Sequence, residues 1–532
     1  MKGFKLLGYI VGLIIMAGLY YIILPPINPT SAAFWCYLMI GAILYLLIHI
    51  GDYEYKVNGK HAIVTKAPLK AWWPAPAIGI GVIVVLAINL FVGPMFNASS
   101  WANRIAVTNG EFTDEIKEVD FNKIPLLDKD SSQKLGDRTM GQMSEYVSQY
   151  YVSNLYTQIN YNDEIIRVTP IEYSGFIKWL INRKNGINAY ITVNSVNGES
   201  KLVKMDKGMK YMPSAKFNDN LERHVRFKYP FDIFGDAKFE IDNEGKPYWV
   251  LPVIKYTGVS NKTRVVGAIL VDPITGDTIK YDLKDVPTWV DNVYYADLVI
   301  EQVNDWGEYQ NGFWNSVFGQ RGVVNTTEGY NYLALDDDIY LYTGITSVSS
   351  DESNLGFILT NLRTGSTRYY DVPGAEEYSA MDSAKGQVQH MNYTTTFPLL
   401  INLNNRPTYL VSLKDDAGLV KMYGFIDVQD YQKVVTTDAS EGIQKAASNY
   451  LKQYGTNGKT TVGEEKEITV KSITSAVKDG NTYYYITDTN GNKYKANINV
   501  SDDLPFITTN SRIKISYYES KDITDIISIK VQ

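Results

Sequence analysis

Cysteine is almost missing from this chain: one residue, Cys36, in 532. That excludes an intramolecular disulfide framework and any zinc site built on cysteine clusters. Histidine is nearly as scarce, with His49, His61, His224 and His390 scattered along the chain. Little remains for imidazole ligands or a His-based triad, and neither H-E-x-x-H nor G-x-S-x-G occurs. Charge is absent from three long stretches near the N-terminus. Over the whole chain the composition is ordinary, with 20% charged and 45% hydrophobic residues, which excludes a wholly disordered chain. The length is about 3.5 times the roughly 150-residue prior for one domain, so several structural units are expected.

The charge-free stretches are Leu6–Leu24, Ala32–Ile50 and Ala77–Phe96. Each is long enough, at about 1.5 Å rise per residue, to cross a hydrocarbon core of about 30 Å. The first exceeds a signal-peptide apolar core and ends in Pro25-Pro26 without a small-x-small cleavage site, so it is expected to be retained. Lys2 and Lys5 precede the first span, and Lys56, Lys60, Lys66 and Lys70 lie between the second and third against only Asp52 and Glu54. The positive-inside rule then places the N-terminus and the 51–76 link in the cytoplasm, and residues 97–532 outside. Residues 101–532 carry 45 basic and 56 acidic groups. An acidic body argues against nucleic-acid binding, which depends on neutralising phosphates.

Residues 97–160 read as a stalk and lead-in, with a helix over Ser131–Tyr156. From 161 to 455 the chain repeats one plan: strand, turn, strand, helix. The strand pairs begin at Ala189, Gly267, Gly356 and Gly424. The first three turn at Asn197-Gly198, Thr275-Gly276 and Thr364-Gly365, where tight hairpins need positive φ. Helices are expected near Phe217–Phe227, Ala296–Trp306, Ala375–Val388 and Ala439–Tyr454, the last opened by the capping-box spacing Asp438-Ala439-Ser440-Glu441. Lys246-Pro247-Tyr248 and Arg406-Pro407-Thr408 echo one another upstream of the second and fourth blocks. The expected class is α+β: three transmembrane helices, then an array of antiparallel sheet-plus-helix modules.

Residues 456–461 read as a polar linker. Five β-rich runs follow over 462–532, which suggests a small barrel of the OB type, with an SH3-like barrel as the rival. Catalytic signatures are incomplete. Gly458-Lys459-Thr460 lacks the earlier P-loop glycine, and Ser131-Ser132-Gln133-Lys134 lacks the other penicillin-recognising motifs. No cofactor is expected. Asp336-Asp337-Asp338 could supply the oxygen ligands that Ca²⁺ favours. Tyrosine numbers 41 against 18 phenylalanines. Tyr483, Tyr484, Tyr485, Tyr494, Tyr517 and Tyr518 concentrate in the barrel, where aromatic rings could stack on sugars, bases or peptide groups.

The segment Val271-Asp272-Pro273-Ile274-Thr275-Gly276-Asp277 resembles the V-D-x-x-T-G-E/D hairpin of PepSY-type domains. Leu359–Ser366 is similar, with Asn361 for Asp and Ser366 for the acid. Lys228-Tyr229-Pro230, Pro287–Asp291, Asn311–Asn315 and Glu376–Met381 look like segments of membrane-anchored proteins from Gram-positive bacteria. The resemblance covers roughly residues 100–436. It implies a cell-envelope location and brings no catalytic residues. The expected function is a non-enzymatic binding or scaffold module whose partners are the lipid bilayer and an envelope protein or polymer. The alternatives are an accessory or regulator of an extracytoplasmic peptidase, and a carboxylate-based hydrolase.

Overall fold

The computed structural model describes residues 2–49, 54–58, 61–65, 73–348, 350–455, 464–478, 481–518 and 523–531. The expected linker 456–461 lies outside the described residues. Helices α1 (Lys2–Ile23), α2 (Ala32–His49) and α3 (Pro74–Phe91) are each long and apolar enough to cross a membrane. The third ends at Phe91 rather than Phe96. Gly93 is extended there, and Pro94, which needs no N–H donor at a first helical position, opens a separate helix α4 (Pro94–Ala102). Strands Glu54–Asn58 and His61–Thr65 pair as a hairpin between α2 and α3.

One end of this bundle is clamped to the rest of the chain. Arg223 donates its Nε to the Tyr21 carbonyl at 3.0 Å and Arg226 donates its Nε to Leu24 at 3.0 Å. Both cations meet the carbonyl-rich end of α1, where the helix dipole is negative. Asn28 reaches the Phe231 carbonyl at 3.0 Å, and the Ala32 N–H reaches Ser260 at 2.7 Å. Asn89, in the last turn of α3, donates to the Val259 carbonyl at 3.1 Å and accepts from its N–H at 2.8 Å. The end of α1, the start of α2 and the end of α3 therefore share one side.

The body contains four sheets that share one antiparallel connectivity. Two short strands pair with one long strand, which pairs with a second, which pairs with a third. The long central pairs are Glu164–Tyr173 with Ile187–Asn194, Pro247–Thr257 with Lys262–Val271, Asp338–Ser347 with Ser350–Asn361, and Arg406–Lys414 with Val420–Asp427. A Cβ at Gly267 would run into the Tyr281 carbonyl oxygen, and one at Gly356 into that of Tyr370. The two glycines hold equivalent places for the same steric reason.

Helices appear where the repeat predicts them, but those of the first three blocks each meet the sheet that follows. Helix α5 (Lys129–Gly141) lies on the first sheet, and α7 (Leu221–Lys228) touches the Gly276 turn of the second. A shorter helix, α6 (Phe176–Asn182), interrupts the first sheet. Helix α8 (Ala296–Tyr309) meets the third sheet, and α9 (Glu377–Gln387) the fourth. Helix α10 (Ile443–Tyr454) covers the other face of the fourth. It starts later than the capping-box spacing implies. Asp438 accepts from the Ser440 N–H at 2.8 Å and closes a single 3₁₀ turn, and Gly442, at φ 85°, resets the backbone.

The sheets stack so that the middle ones bury both faces. Trp249, Leu251 and Val253 join a core with Ile191 and Val168 of the first sheet. Val250 and Ile254, on the same strand but the opposite face, join a core with Leu341 and Ile358 of the third. The third and fourth sheets share a further core around Tyr342, Phe357, Tyr409 and Phe425. Two-faced burial explains why these strands read as continuous apolar runs.

The 97–160 segment is not a stalk. Val107–Gly110 adds a parallel strand to the third sheet, and Phe112, Ile116, Phe121 and Ile124 are buried in the core shared by the third and fourth. The helix expected over Ser131–Tyr156 stops at Gly141, and Tyr150–Val152 is already a strand, because Tyr146, Tyr150 and Tyr173 cluster on the first sheet. The C-terminal region forms a closed five-stranded barrel in the order first-second-third-fifth-fourth. Its third and fifth strands run parallel.

Candidate functional site

Arg167 projects from the long strand Glu164–Tyr173 of the first sheet. Its neighbours Ile166 and Val168 alternate into the core, so Arg167 points to the opposite face. It is 5% exposed, and among the described residues no hydrogen bond or ion pair holds its guanidinium. Burial without a counter-ion lowers its pKa from the usual arginine range. Arginine is rarely buried unpaired, because desolvating a cation costs several kcal/mol.

The cleft into which Arg167 faces has a volume of about 430 Å³ and lies where the four sheets converge. Gln158 stands opposite Arg167 in the strand register, and both atoms of its amide are buried without partners. Lys238 comes from the second sheet and Lys129 from the first turn of α5. The Lys129 ammonium is held below its usual pKa, first by burial, then by the nearby charges of Lys238 and Arg167. Three cations therefore converge on one cavity. The acid at its rim, Asp128, is already bound to Lys414 and to the Ser131 N–H. Tyr294, buried, and Tyr332, half-buried, supply aromatic walls, with hydroxyl pKa values raised chiefly by burial. The arrangement can hold an anionic group against donors that lack other work.

Behind the cleft lies a second unusual pair. Glu240 is fully buried and accepts the N–H groups of Asp291 at 2.9 Å and Asn292 at 3.0 Å. Asp291 accepts the Asn160 N–H at 2.7 Å, and its other oxygen is buried without a partner. Burial pushes the Glu240 carboxyl up to about 7, and burial plus the Glu240 charge pushes Asp291 up as well. Neither carboxyl lines the cleft. Both Glu240 oxygens are committed to backbone, so the pair is not a set of facing acid and base groups around a substrate.

The residues singled out from sequence are dispersed. Asp338 is held by the Arg363 guanidinium at 2.8 and 2.7 Å and by Asn361 at 2.8 Å. Asp336, in a left-handed turn conformation at φ 54°, pairs with Lys117 at 2.8 Å. Among the described residues, no three His, Cys, Asp or Glu side chains are grouped to hold a metal ion. In the barrel, Tyr494 is buried, with its hydroxyl near Asp488 at 3.3 Å, and Tyr484 and Tyr517 pack on the same core. Tyr483 and Tyr485 alternate to the outer face. There Lys495 lies opposite Tyr485, and its ammonium is 5.8 Å from the Tyr483 ring centroid. The tyrosines thus divide between two faces instead of forming one platform. The Tyr518 side chain lies outside the described residues.

No protein-family model matches the chain, and no curated protein matches its sequence. The cleft stands on its own geometry. Arg167, Lys238 and Lys129 were not among the sequence candidates, although Arg167 carries a readable signal: one arginine within the apolar run Ile165–Ile171.

Proposed function

We propose that this chain is a membrane-anchored, non-enzymatic binding protein of the cell envelope. In this reading the four-sheet body and barrel stand outside the membrane, and the body takes an anionic group of an envelope polymer or protein against Arg167. The observation that carries the reading is the buried, unpartnered Arg167 at the bottom of a cleft shared by four modules. Lysine distribution around the spans supports the outward orientation.

Two structural features support the PepSY-like and OB-like readings. All four central hairpins open on an Asn or Asp whose side chain accepts the second and third N–H groups after it: Asn194, Asp272, Asn361 and Asp427. The barrel's strand order, with its parallel third and fifth strands, favours the OB type over the SH3-like rival. If the modules are PepSY-like, a regulator or accessory of an extracytoplasmic peptidase is the second reading. It differs in the partner, not in the anion site. A carboxylate-based hydrolase is the third reading, and it draws no support from Glu240 and Asp291, which do not line this cleft.

The test uses the full chain in lipid nanodiscs. A poly(glycerol phosphate) oligomer and a glutamate-rich peptide are titrated against wild type and Arg167→Met. At least one probe should bind wild type about tenfold or more tightly than the variant. Equal binding of both probes to both proteins, or no binding by wild type, overturns the assignment. Protease added to intact cells should remove the body, and its survival there but not in lysed cells overturns the orientation.

A further inference from the structure

We propose that the body rests on the bilayer and dips two apolar protrusions into the leaflet that its spans cross, one beside α1 and one beside α3. The first protrusion is α6. Its Trp179 is fully buried and pins the helix to the first sheet, while Phe176, Ile177, Leu180 and Ile181 are 46, 60, 47 and 69% exposed. Phe217 continues the patch, with its ring 6.4 Å from that of Phe176. The next residue, Asn218, accepts a hydrogen bond from the Tyr21 hydroxyl in the last turn of α1 at 3.0 Å. Phe227 packs on the Tyr20 and Tyr21 rings at 6.2 and 6.1 Å. The apolar surface is therefore continuous with the end of a membrane-spanning helix. Lys178, Arg183, Lys184 and Lys216 border it, as expected where an apolar face meets lipid headgroups.

The second protrusion is the irregular turn around Asn315–Gly319. Trp314, Val317 and Phe318 are 57, 48 and 78% exposed, and the Trp314 and Phe318 rings stack at 5.8 Å. Phe313 anchors this turn on the Trp101 and Tyr309 cluster. Trp101 in turn donates its indole N–H to the Val92 carbonyl, just past α3, at 2.8 Å. The bonds from Asn89 to Val259 and from Ala32 to Ser260 tie the ends of α3 and α2 to one loop, so both protrusions lie at the level where the spans leave the lipid. Solvated protein rarely presents two such patches, and a Trp in such a place suits the headgroup boundary. The inference is independent of the cleft and of which side of the membrane carries the body.

Because Cys36 is the only cysteine, a Cys36→Ser parent allows single labels. Ile181→Cys, Leu180→Cys, Phe318→Cys and Val317→Cys are each labelled with an environment-sensitive fluorophore in the full chain and reconstituted into vesicles. Leu13→Cys in α1 serves as the buried-in-lipid reference, and Val477→Cys, 73% exposed on the barrel, as the water reference. Labels at both protrusions should emit blue-shifted light and be quenched by lipids spin-labelled near the headgroup, unlike Val477→Cys. All these positions are exposed, so melting temperatures should match the parent. If both protrusions respond like Val477→Cys, the proposal is overturned. If only one responds, the proposal fails for the other.

Discussion

Arg406 and Asp427 form an ion pair at 2.7 Å that ties the first residue of one long strand to the turn of the next hairpin. The same link recurs in every module with its chemistry adjusted. Lys246 meets Asp272 at 2.8 Å, Asp338 accepts from Asn361 at 2.8 Å, and Glu164 accepts from Asn194 at 3.3 Å. Where the turn carries Asp, the strand supplies a cation. Where it carries Asn, the strand supplies an acid. The pairing closes the open end of each sheet without leaving a buried charge alone.

That covariation predicts a rescue. Asp427 is 1% exposed, so Arg406→Glu places a second acid beside a buried carboxylate and should cost about 3–5 kcal/mol. Adding Asp427→Asn recreates the arrangement of the first module and should recover about 1–3 kcal/mol. Denaturant unfolding of the full chain in detergent measures both. A double variant no more stable than Arg406→Glu removes the equivalence of the four links.

Asp305 joins α8 to the chain leaving the membrane. It is bound to buried Arg104 and lies 3.2 Å from Lys262, and burial raises its carboxyl pKa even so. Asp305→Ala leaves two cations short of charge and should destabilise by about 3 kcal/mol. Glu301 contacts the same cations but is 41% exposed, so Glu301→Ala should cost less than about 1 kcal/mol. Equal losses in thermal unfolding would contradict a buried network centred on Asp305.

The Glu240 and Asp291 pair sets a pH dependence. Both carboxyls are raised in the folded chain, Glu240 from 4.5 to about 7, so the folded state holds protons more tightly than the unfolded one. The stability this provides is complete below about pH 4.5 and is lost as pH rises through about 7. Asp291→Asn removes one charge and its repulsion of Glu240. Relative to wild type, its melting temperature should rise as pH goes from about 5 to about 8. A difference independent of pH would show that the pair does not titrate together.

Arg167 exchanges stability for binding. Replacing it with Met removes an unpaired buried cation while keeping an unbranched side chain, and should stabilise the ligand-free chain by about 1–3 kcal/mol. Thermal unfolding without added anion measures this. Destabilisation by Arg167→Met would mean that the guanidinium is structurally paired, contrary to the cleft's geometry.

Much of the local structure was legible because its causes are local. Charge-free runs announce α1, α2 and α3, and the turns at Gly198, Gly276 and Gly365 announce hairpins because those residues take φ of 77, 78 and 75°. The fourth hairpin lacked that glycine. Its loop is one residue longer, with the Asp427 N–H reaching Lys433, so no left-handed residue is required. The break at Gly93-Pro94 was also readable, but hydropathy alone carries the third run through it.

The candidate site was not legible in the same way. Asp338 and Tyr494 drew notice by clustering in sequence, yet tertiary partners absorb both. Arg167, Lys238 and Lys129 are far apart along the chain and gain meaning only where their sheets converge.

The apolar anchor, the strand-and-helix repeat and the acidic balance of the body are already written in the residues, because they depend on composition and on contacts between near neighbours. Folding in three dimensions set the rest: the helices of the first three blocks meet the sheet that follows, residues 97–160 join the body, and three cations share one cavity. Those outcomes depend on which surfaces meet after the chain turns back on itself, and the spacing of residues along a strand or helix carries no record of that.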